Sequence, residues 1–257
     1  MPAAYPVTPI LAEASGIADS KINPGYLWVE EDSGNPPLVT LLGHQGKVLK
    51  TIYLKGAINR DWEDIALAGG PVAGKNYLYL AETGDNHAVY PSAAFYRFEE
   101  PSAATDTITN YDIINFTYPD GPHDAEAFLV DDATKDIFVL TKRDALSRVY
   151  RIAYPYSATA MNQAVAAGTL PYNGVTGATQ NADGTGIIVH TYAQLLYYTR
   201  LPGETIAQAL QKTFTALAYQ PEPQGEAVTF AVDGSGFFTL SEKGLSPSQF
   251  LYFYGKQ

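Results

Sequence analysis

The chain has no cysteine among its 257 residues, and it carries few positive charges. Without cysteine there are no disulfides, no thiolate metal ligands and no cysteine nucleophile. Its 16 Lys and Arg residues stand against 27 Asp and Glu residues, which gives a formal net charge of −11. Such a field repels phosphate backbones and anionic lipid, so we expect no nucleic-acid partner and no membrane-surface partner. The available chemistry is that of oxygen and nitrogen groups.

Long apolar runs are also missing. No run of 18 apolar residues occurs, which predicts that the chain has no membrane span. The first six residues lack the basic and apolar regions of a secretory signal. A signal could have been removed from the chain, so these residues alone leave its compartment open.

What the chain does contain is a repeated strand pattern. Hydrophobic residues make up 46% and charged residues 17%, a composition typical of a globular protein with a full core. Short runs rich in Tyr, Phe, Val and Leu recur between Gly, Asp, Asn and Pro turns, as hairpin strands do. Five pairs of runs share one layout of strand, polar turn and strand. They are 15–18 with 26–29, 63–66 with 77–80, 126–129 with 137–140, 176–179 with 187–190, and 226–229 with 237–240.

The spacing of these pairs predicts the blades of a propeller. In four pairs the second run begins 11 residues after the first, and in the other pair 14 residues after it. Successive first runs lie 48, 63, 50 and 50 residues apart, and a four-stranded propeller blade takes about 40–50 residues. We therefore predict an all-β, five-bladed β-propeller with four-stranded blades, forming a single domain over residues 1–257. An irregular β-sandwich is the alternative.

Further strands are predicted outside the five pairs. Third strands are expected at 38–42, 95–98, 148–153, 195–201 and 250–254, and fourth strands at 48–54 and 108–117. The fifth blade ends one strand short, so we expect residues 5–12 to complete it and close the ring, since closure removes exposed sheet edges. Residues 158–167 and 204–214 have helix-like composition and are expected to decorate the third and fourth blades.

Acidic residues occupy equivalent places at the starts of the predicted inner strands. The first positions of the five pairs are Ser15, Glu63, Glu126, Thr176 and Glu226, and two residues earlier, on the same side of each strand, stand Glu13, Asp61, Asp124, Gly174 and Gln224. Six of these ten residues are carboxylates, and every inner strand starts at one mouth of the central channel. Carboxylates gathered there either retain protons at a raised pKa or are neutralised by cations.

Two sources of positive charge compete at this mouth. Basic residues near the strand ends predict an ion-pair network, and they are Arg60, Lys142, Arg143 and Lys243. A hard divalent ion is the other source, since Ca²⁺ takes about 6–8 oxygen ligands. We favour a metal, with Ca²⁺ fitting best and Mg²⁺, Mn²⁺ or Zn²⁺ left open. The predicted ligands are Glu63, Glu126 and Glu226, with Asp61 and Asp124 behind them.

The second strands return to the same mouth and supply the remaining groups. The predicted substrate contacts are Glu82, Lys142, Arg143 and Tyr192, and the predicted catalytic residues are Asp61, Asp124, His123 and His190. His190 stands where the other four blades have Val or Leu, and His123 directly precedes Asp124. For both histidines a structural role and a catalytic role stay open.

Several familiar motifs are absent. No GxSxG, HExxH, GxGxxG or P-loop sequence occurs, so serine-triad, zincin, dinucleotide and NTPase functions have no support. Acidic turns at 131–136, 181–184 and 233–236 resemble ion-binding loops. Each falls in a predicted hairpin at the opposite mouth, where Asp, Asn and Gly serve as turn formers.

A set of motifs resembles one protein family. The motifs are DWEDIA at 61–66, GDN at 84–86, HDAEA at 123–127, TKR at 141–143 and SE at 241–242. In combination they resemble a family of largely uncharacterised bacterial β-propeller proteins, many of them exported, and the resemblance spans nearly the whole chain. It implies a secreted or periplasmic protein. The fourth blade departs from the pattern, with His190 where that family tends to have Arg before Thr-Tyr.

A second resemblance is architectural only. The acidic mouth is similar to that of calcium-dependent propeller hydrolases acting on lactones and organophosphates, and to that of propeller phytases. We predict a metal-dependent hydrolase of phosphoester, phosphotriester or carboxyl-ester bonds in a small-molecule substrate. The ion would polarise the substrate oxygen while a carboxylate or histidine activates water or attacks directly. The alternatives are a five-bladed glycosidase with two carboxylates and aromatic sugar platforms, and a non-catalytic extracellular binding propeller with a structural Ca²⁺.

Overall fold

The computed structural model describes residues 1–256, and its strands form five sheets that match the five predicted pairs. Within each sheet the inner, second, third and outer strands follow one another and pair antiparallel. Each inner strand packs against the inner strands of both neighbouring blades, so the five inner strands surround a central channel. The prediction of an all-β, five-bladed β-propeller with four-stranded blades is confirmed.

The strand bounds follow the chain blade by blade. Blade 1 contains Ala14–Asp19, Tyr26–Glu31, Leu38–Gly43 and Val48–Leu54, and blade 2 contains Trp62–Gly69, Asn76–Glu82, Ala93–Glu99 and Asp112–Thr117. Blade 3 contains Ala125–Val130, Ile137–Thr141, Arg148–Ile152 and Val165–Thr169. Blade 4 contains Val175–Gln180, Gly186–Thr191, Gln194–Thr199 and Thr215–Ala216. Blade 5 contains Gln224–Phe230, Gly236–Glu242, Phe250–Gly255 and, from the start of the chain, Ala3–Pro6.

The start of the chain closes the ring as predicted, but the closing strand is Ala3–Pro6 and not residues 5–12. Ala3–Pro6 pairs antiparallel with Phe250–Gly255, with Ala3 opposite Phe253 and Pro6 opposite Phe250. Just after this strand, the Val7 amide donates to the Gln249 carbonyl oxygen at 2.9 Å. The last sheet edge of blade 5 is thus covered by the opposite end of the chain, which removes an exposed row of backbone donors and acceptors.

Two other predictions outside the blade pairs also need correction. Residues 158–167 were expected to be helical, but Asn162–Gln163 pairs parallel with blade 2 and Val165–Thr169 forms the outer strand of blade 3. Pairing with Arg148–Ile152 overrides the weak helix propensity of this alanine-rich segment. The predicted strand 108–117 is split, because Thr107–Ile108 adds to the edge of blade 1.

Helix is scarce in the described part of the chain. Ile206–Leu210 is helical, within the predicted stretch 204–214, and a capping box between Thr205 and Gln208 starts it. Within residues 1–256, no helix combines the length and apolarity needed to cross a membrane.

The hydrophobic core lies in layers between adjacent blades. Trp28 and Trp62 are fully buried between blades 1 and 2, and Phe95, Phe116 and Phe128 pack between blades 2 and 3. Large aromatic side chains fill the space between twisted sheets at native density. Because both tryptophans are buried, neither offers the sugar platform that the glycosidase alternative requires.

The two mouths of the channel differ. At one mouth a cavity of about 60 Å³ is lined by the far ends of the inner strands and by hairpin residues such as Asp132 and Asn181. Bonds between blades hold this mouth, including those from the Gly69 amide to Asp132 Oδ1 at 2.7 Å and from the Val232 amide to Asp19 Oδ2 at 2.8 Å. The acidic turns of the hairpins therefore serve the fold, and the acids at the strand starts lie at the other mouth.

Candidate metal centre at the acidic mouth

Each inner strand carries a β-bulge at the position that the repeat aligns. The register of inner and second strands shifts once in every blade, and the residues left without a partner are Ser15, Glu63, Glu126, Thr176 and Glu226. A bulged residue leaves the regular alternation, so its side chain takes a new direction. The bulges of neighbouring blades do meet, since Ser15 Oγ lies 3.0 Å from the Glu63 carbonyl oxygen, which can accept its proton, and 3.3 Å from Glu226 Oε2.

The first cluster of carboxylates joins blades 1 and 2. Oxygen atoms of Asp32, Asp61 and Glu63 lie within 4.8 Å of one another. Asp32 directly follows the second strand of blade 1, and Asp61 directly precedes the inner strand of blade 2. Glu63 is 4% exposed and Asp61 is 9% exposed. We call this set the first carboxylate group.

Gly84 makes room for two members of the first carboxylate group. A Cβ atom at this position would overlap Glu63 Oε1 and would lie 2.5 Å from Asp61 Oδ2. The backbone of Asp61 is also held in place, because its amide donates to Glu82 Oε1 at 2.9 Å. A loop glycine and a buried acceptor therefore fix the place of both carboxylates.

The second cluster shares Glu63 and joins blades 2 and 3. Oxygen atoms of Glu63, Asp124 and Glu126 also lie within 4.8 Å of one another, and we call this set the second carboxylate group. It already contains cations. Arg143 Nε lies 2.6 Å from Asp124 Oδ2, and the Lys142 ammonium pairs with Glu126. The Asp85 amide donates to the other oxygen of Asp124 at 2.8 Å.

The first carboxylate group has no such counterion. Within residues 1–256, no Lys, Arg or His side chain forms an ion pair with Asp32, Asp61 or Glu63. The Glu63 carboxylate also receives no hydrogen bond from this part of the chain. Burial, followed by the charges of Asp32 and Asp124, raises the pKa of Asp61 to about 6. Burial, followed by the charge of Glu126, raises the pKa of Glu63 well above its ordinary value.

These residues fit a hard divalent ion. The donors are carboxylate oxygens, which Ca²⁺ and Mg²⁺ prefer, and three of them converge without a protein cation. A positive charge placed among them would reverse the cost of burying like charges. The residues best placed to hold an ion are Asp32, Asp61 and Glu63.

The structure regroups the predicted metal ligands. Glu63 and Glu126 lie together as expected, but Glu226 belongs to neither carboxylate group. Burial, followed by the charges of Glu126 and Glu242, raises the pKa of Glu226 to about 9. Lys142 Nζ lies 4.0 Å from Glu226 Oε1, so the cation beside this residue is an ammonium group.

The four predicted substrate contacts divide by exposure. Glu82 and Lys142 are buried, and Glu82 binds the backbone amides of Arg60 and Asp61. Tyr192 is 44% exposed, and the Arg143 side chain is 51% exposed. Only the latter two present a large surface at the rim where a substrate would arrive.

The two predicted catalytic histidines lie away from the carboxylate groups. His123 Nδ1 lies 3.1 Å from Asp144 Oδ2, and His123 Nε2 contacts Asp120 and Tyr150. His190 lies on the second strand of blade 4 and is fully buried. Its Nδ1 atom lies 3.1 Å from the carbonyl oxygen of Glu226 in blade 5. Burial lowers the pKa of His190 to about 4, so the ring is neutral at pH 7. A catalytic role for either histidine stays a prediction.

Sequence reasoning did not select several acids of the mouth. Asp32 was not predicted as a ligand, because the sequence repeat aligns Ser15, and not an acid, with Glu63, Glu126 and Glu226. Glu30 and Asp64 were not predicted as site residues either, and both are buried. Asp64 accepts from the amides of Ile65 and Phe128, while both oxygens of the fully buried Glu30 have no partner within residues 1–256. The available signal was that second strands return to the mouth where inner strands start.

Comparisons with known proteins add little. No protein-family model matches the chain, and no curated protein matches it. Among solved structures, the chain is similar to the hydrazine synthase of Kuenenia stuttgartiensis, with a TM-score of 0.48 and 8% identity over 95% of this chain and 83% of that one. It is also similar to a nidogen/laminin complex, with a TM-score of 0.48 and 12% identity over 90% of this chain and 73% of that one. The fold assignment rests on the five sheets themselves.

Proposed function

We propose that this protein is a divalent-cation-dependent hydrolase of phosphoester, phosphotriester or carboxyl-ester bonds, with one ion held by Asp32, Asp61 and Glu63. The observation that carries the proposal is the first carboxylate group, three acids that converge and have no ion-pair partner within residues 1–256. A bound Ca²⁺ or similar ion supplies charge to polarise a substrate oxygen and to favour ionisation of water. The motifs at 61–66, 84–86 and 123–127, which resemble those of exported bacterial β-propellers, support a secreted or periplasmic location.

The residues around the group support a division of roles. Asp124 is fixed at both oxygens, by Arg143 Nε at 2.6 Å and by the Asp85 amide at 2.8 Å. A carboxylate held in one orientation beside the ion site is suited to accept a proton from water, and we assign Asp124 as general base. Arg143 and Tyr192, both about half exposed at the rim, are the groups we assign to substrate contact.

The first experiment measures ion binding. Chelator-stripped protein is titrated with Ca²⁺ by calorimetry, and we expect one site per chain. Asp61→Asn and Glu63→Gln should each weaken binding by at least about tenfold, the low end of what even outer partners of a metal contribute. Asp183→Asn is the matched control, because Asp183 is an exposed acid in a turn between inner and second strands. Equal binding by all four proteins would reject the site.

The second experiment measures turnover. Nitrophenyl acetate, nitrophenyl phosphate, an aryl phosphotriester and a lactone are assayed with and without EDTA. We expect turnover on at least one ester, loss of turnover in EDTA, and a fall in kcat of about 10²–10⁴ in Asp124→Asn while Ca²⁺ still binds. Turnover that is indifferent to chelation would reject the metal-dependent reaction.

A structural ion is the second candidate function. The burial of Glu63 favours it, as does the span of the first carboxylate group across the boundary between blades 1 and 2. A binding propeller of this kind would melt at lower temperature in EDTA and would turn over none of the four esters. The two experiments together separate the candidates.

A further inference from the structure

The ammonium group of Lys142 lies inside the acidic mouth. The side chain is buried, and it pairs with Glu126. Its Nζ also lies 4.0 Å from Glu226 Oε1 and 4.7 Å from the centroid of the Tyr192 ring. Two carboxylates and an aromatic face are typical surroundings of a bound cation. Glu126 and Glu226, two of the three predicted metal ligands, therefore lie on either side of a lysine ammonium group.

The two carboxylate groups differ in what they contain. The second group holds the cations Lys142 and Arg143, whereas the first group holds none in the described residues. Glu63 is the member common to both, and its buried carboxylate has no hydrogen-bond partner within residues 1–256. Glu63 is therefore a buried acid that a divalent ion in the first group would neutralise. The ammonium group of Lys142 lies on the other side of Glu126, next to Glu226.

We propose that the mouth is a two-cation centre in which a divalent ion occupies the first group and Lys142, between Glu126 and Glu226, stands in the place of a second ion. This inference rests on the proposed function for the ion in the first group. Its consequence is that Lys142 limits the protein to one bound divalent ion. The lysine is delivered by the end of a strand, Ile137–Thr141, so it occupies its place whenever the blade is folded.

Charge and ligand supply explain why the lysine excludes an ion. A second divalent ion beside an ammonium group meets strong repulsion in a buried site. The Glu126 oxygen it would need is paired with Lys142, and one oxygen of Asp124 is paired with Arg143. Without the ammonium, Glu126 and Glu226 would face each other as buried acids with no counterion. Buried charges of this kind recruit a proton or a cation.

The test counts ions in three proteins. Chelator-stripped wild type, Lys142→Met and Lys142→Arg are titrated with Ca²⁺ alone at neutral pH by calorimetry, with Tb³⁺ luminescence as an independent count. We expect one ion in the wild type, two in Lys142→Met, and one in Lys142→Arg, which keeps the positive charge. Circular dichroism and urea unfolding establish that each variant is folded.

The outcomes separate this inference from the proposed function. A wild type that binds no Ca²⁺ rejects the ion site on which both depend. If the wild type binds one ion and a folded Lys142→Met also binds one, the ion site stands and only the proposed role of Lys142 is rejected. A wild type that binds two ions likewise rejects only the role of Lys142.

Glu126→Gln keeps the test decisive if Lys142→Met does not fold. In this variant the lysine stays and the first carboxylate group is unchanged. We expect one bound Ca²⁺ with an affinity within about tenfold of the wild type. A greater loss would assign Glu126 to the ion and would overturn the proposal.

Discussion

The imidazole of His190 donates its Nδ1 proton to the carbonyl oxygen of Glu226 at 3.1 Å. The direction of this bond is fixed, because a carbonyl oxygen only accepts. Glu226 is the bulged residue of blade 5, so a side chain from blade 4 holds the backbone of the bulge. The histidine thus supports the mouth from behind, although it lies outside both carboxylate groups.

Replacing His190 should affect stability and leave ion binding unchanged. His190→Leu introduces the residue that three other blades carry at the equivalent position, and it removes the hydrogen bond to the bulge. We expect the free energy of unfolding to fall by about 1 kcal/mol, with Ca²⁺ affinity within a factor of two or so of the wild type. Urea unfolding and calorimetry measure the two quantities. A large loss of Ca²⁺ affinity would mean that His190 acts at the ion site after all.

Glu222 should make the stability of the protein depend on pH. Burial raises its pKa to about 8 in the folded state, and Tyr219 donates to it at 3.1 Å. The unfolded carboxyl ionises near pH 4.5, so the folded state binds more protons between about pH 4.5 and 8. The stability contribution of this group is therefore complete below that range and falls as pH rises through it, by about 4–5 kcal/mol.

The variant Glu222→Gln isolates this contribution. Urea unfolding at pH 5 and pH 8 should show a smaller drop in the variant than in the wild type. Glu99→Gln, an exposed acid paired with Lys75 at 2.6 Å, serves as the control and should keep the wild-type drop. An unchanged drop in Glu222→Gln would show that other groups cause the pH dependence.

Gly84 should be intolerant of even one added carbon. The Cβ of Gly84→Ala would overlap Glu63 Oε1 and crowd Asp61 Oδ2, so at least one carboxylate must move. We expect Ca²⁺ affinity to fall by about tenfold or more. Gly69→Ala is the matched control in the same blade, because its nearest contact would be an ordinary 3.5 Å to Asp132 Oδ1. Equal affinities in the two variants would contradict the packing argument.

Removing the ion should loosen the junction between blades 1 and 2. A ligand that binds only the folded state stabilises it by about 2.7 kcal/mol at 100 times its dissociation constant. We expect EDTA to lower the melting temperature of the wild type, and to have a smaller effect on Asp61→Asn, which binds the ion more weakly. Differential scanning calorimetry measures both. A melting temperature of the wild type that is equal with and without EDTA would be the contrary result.

The N-terminal strand should be needed for a closed ring. Deleting residues 1–6 removes Ala3–Pro6 and uncovers the edge of Phe250–Gly255. Loss of about three or four net backbone bonds should cost about 2–4 kcal/mol, and the bare edge should promote aggregation. Deleting only residues 1–2 is the control, and it should behave as the wild type in urea unfolding and light scattering.

The sequence predicts the fold better than the site, for a physical reason. Strand pairs such as Glu63 with Tyr77 recur at nearly constant offsets, and each pair is a local hairpin that can be identified without knowledge of the rest of the chain. The outer strand Val165–Thr169 was missed because it pairs with Arg148–Ile152 across a long connection, and its alanine and glycine content carries little strand signal.

The acids of the site were found through the same repeat, but their partners were not. Glu63 and Glu126 share a register, so the sequence places them at one mouth. It does not tell whether a lysine side chain or a metal neutralises them. Lys142 reaches Glu126, and Asp32 reaches Asp61, through side-chain directions that only the folded backbone determines.

All five inner strands carry the same bulge, although the residue at the bulge differs from blade to blade. Three bulges carry glutamates and two carry the hydroxyl residues Ser15 and Thr176, yet the pairing of inner and second strands is the same in each blade. A point substitution at one of these five places alters the local electric potential without disturbing any ladder. Homologous rings can therefore diverge in ion preference while their backbones stay superimposable.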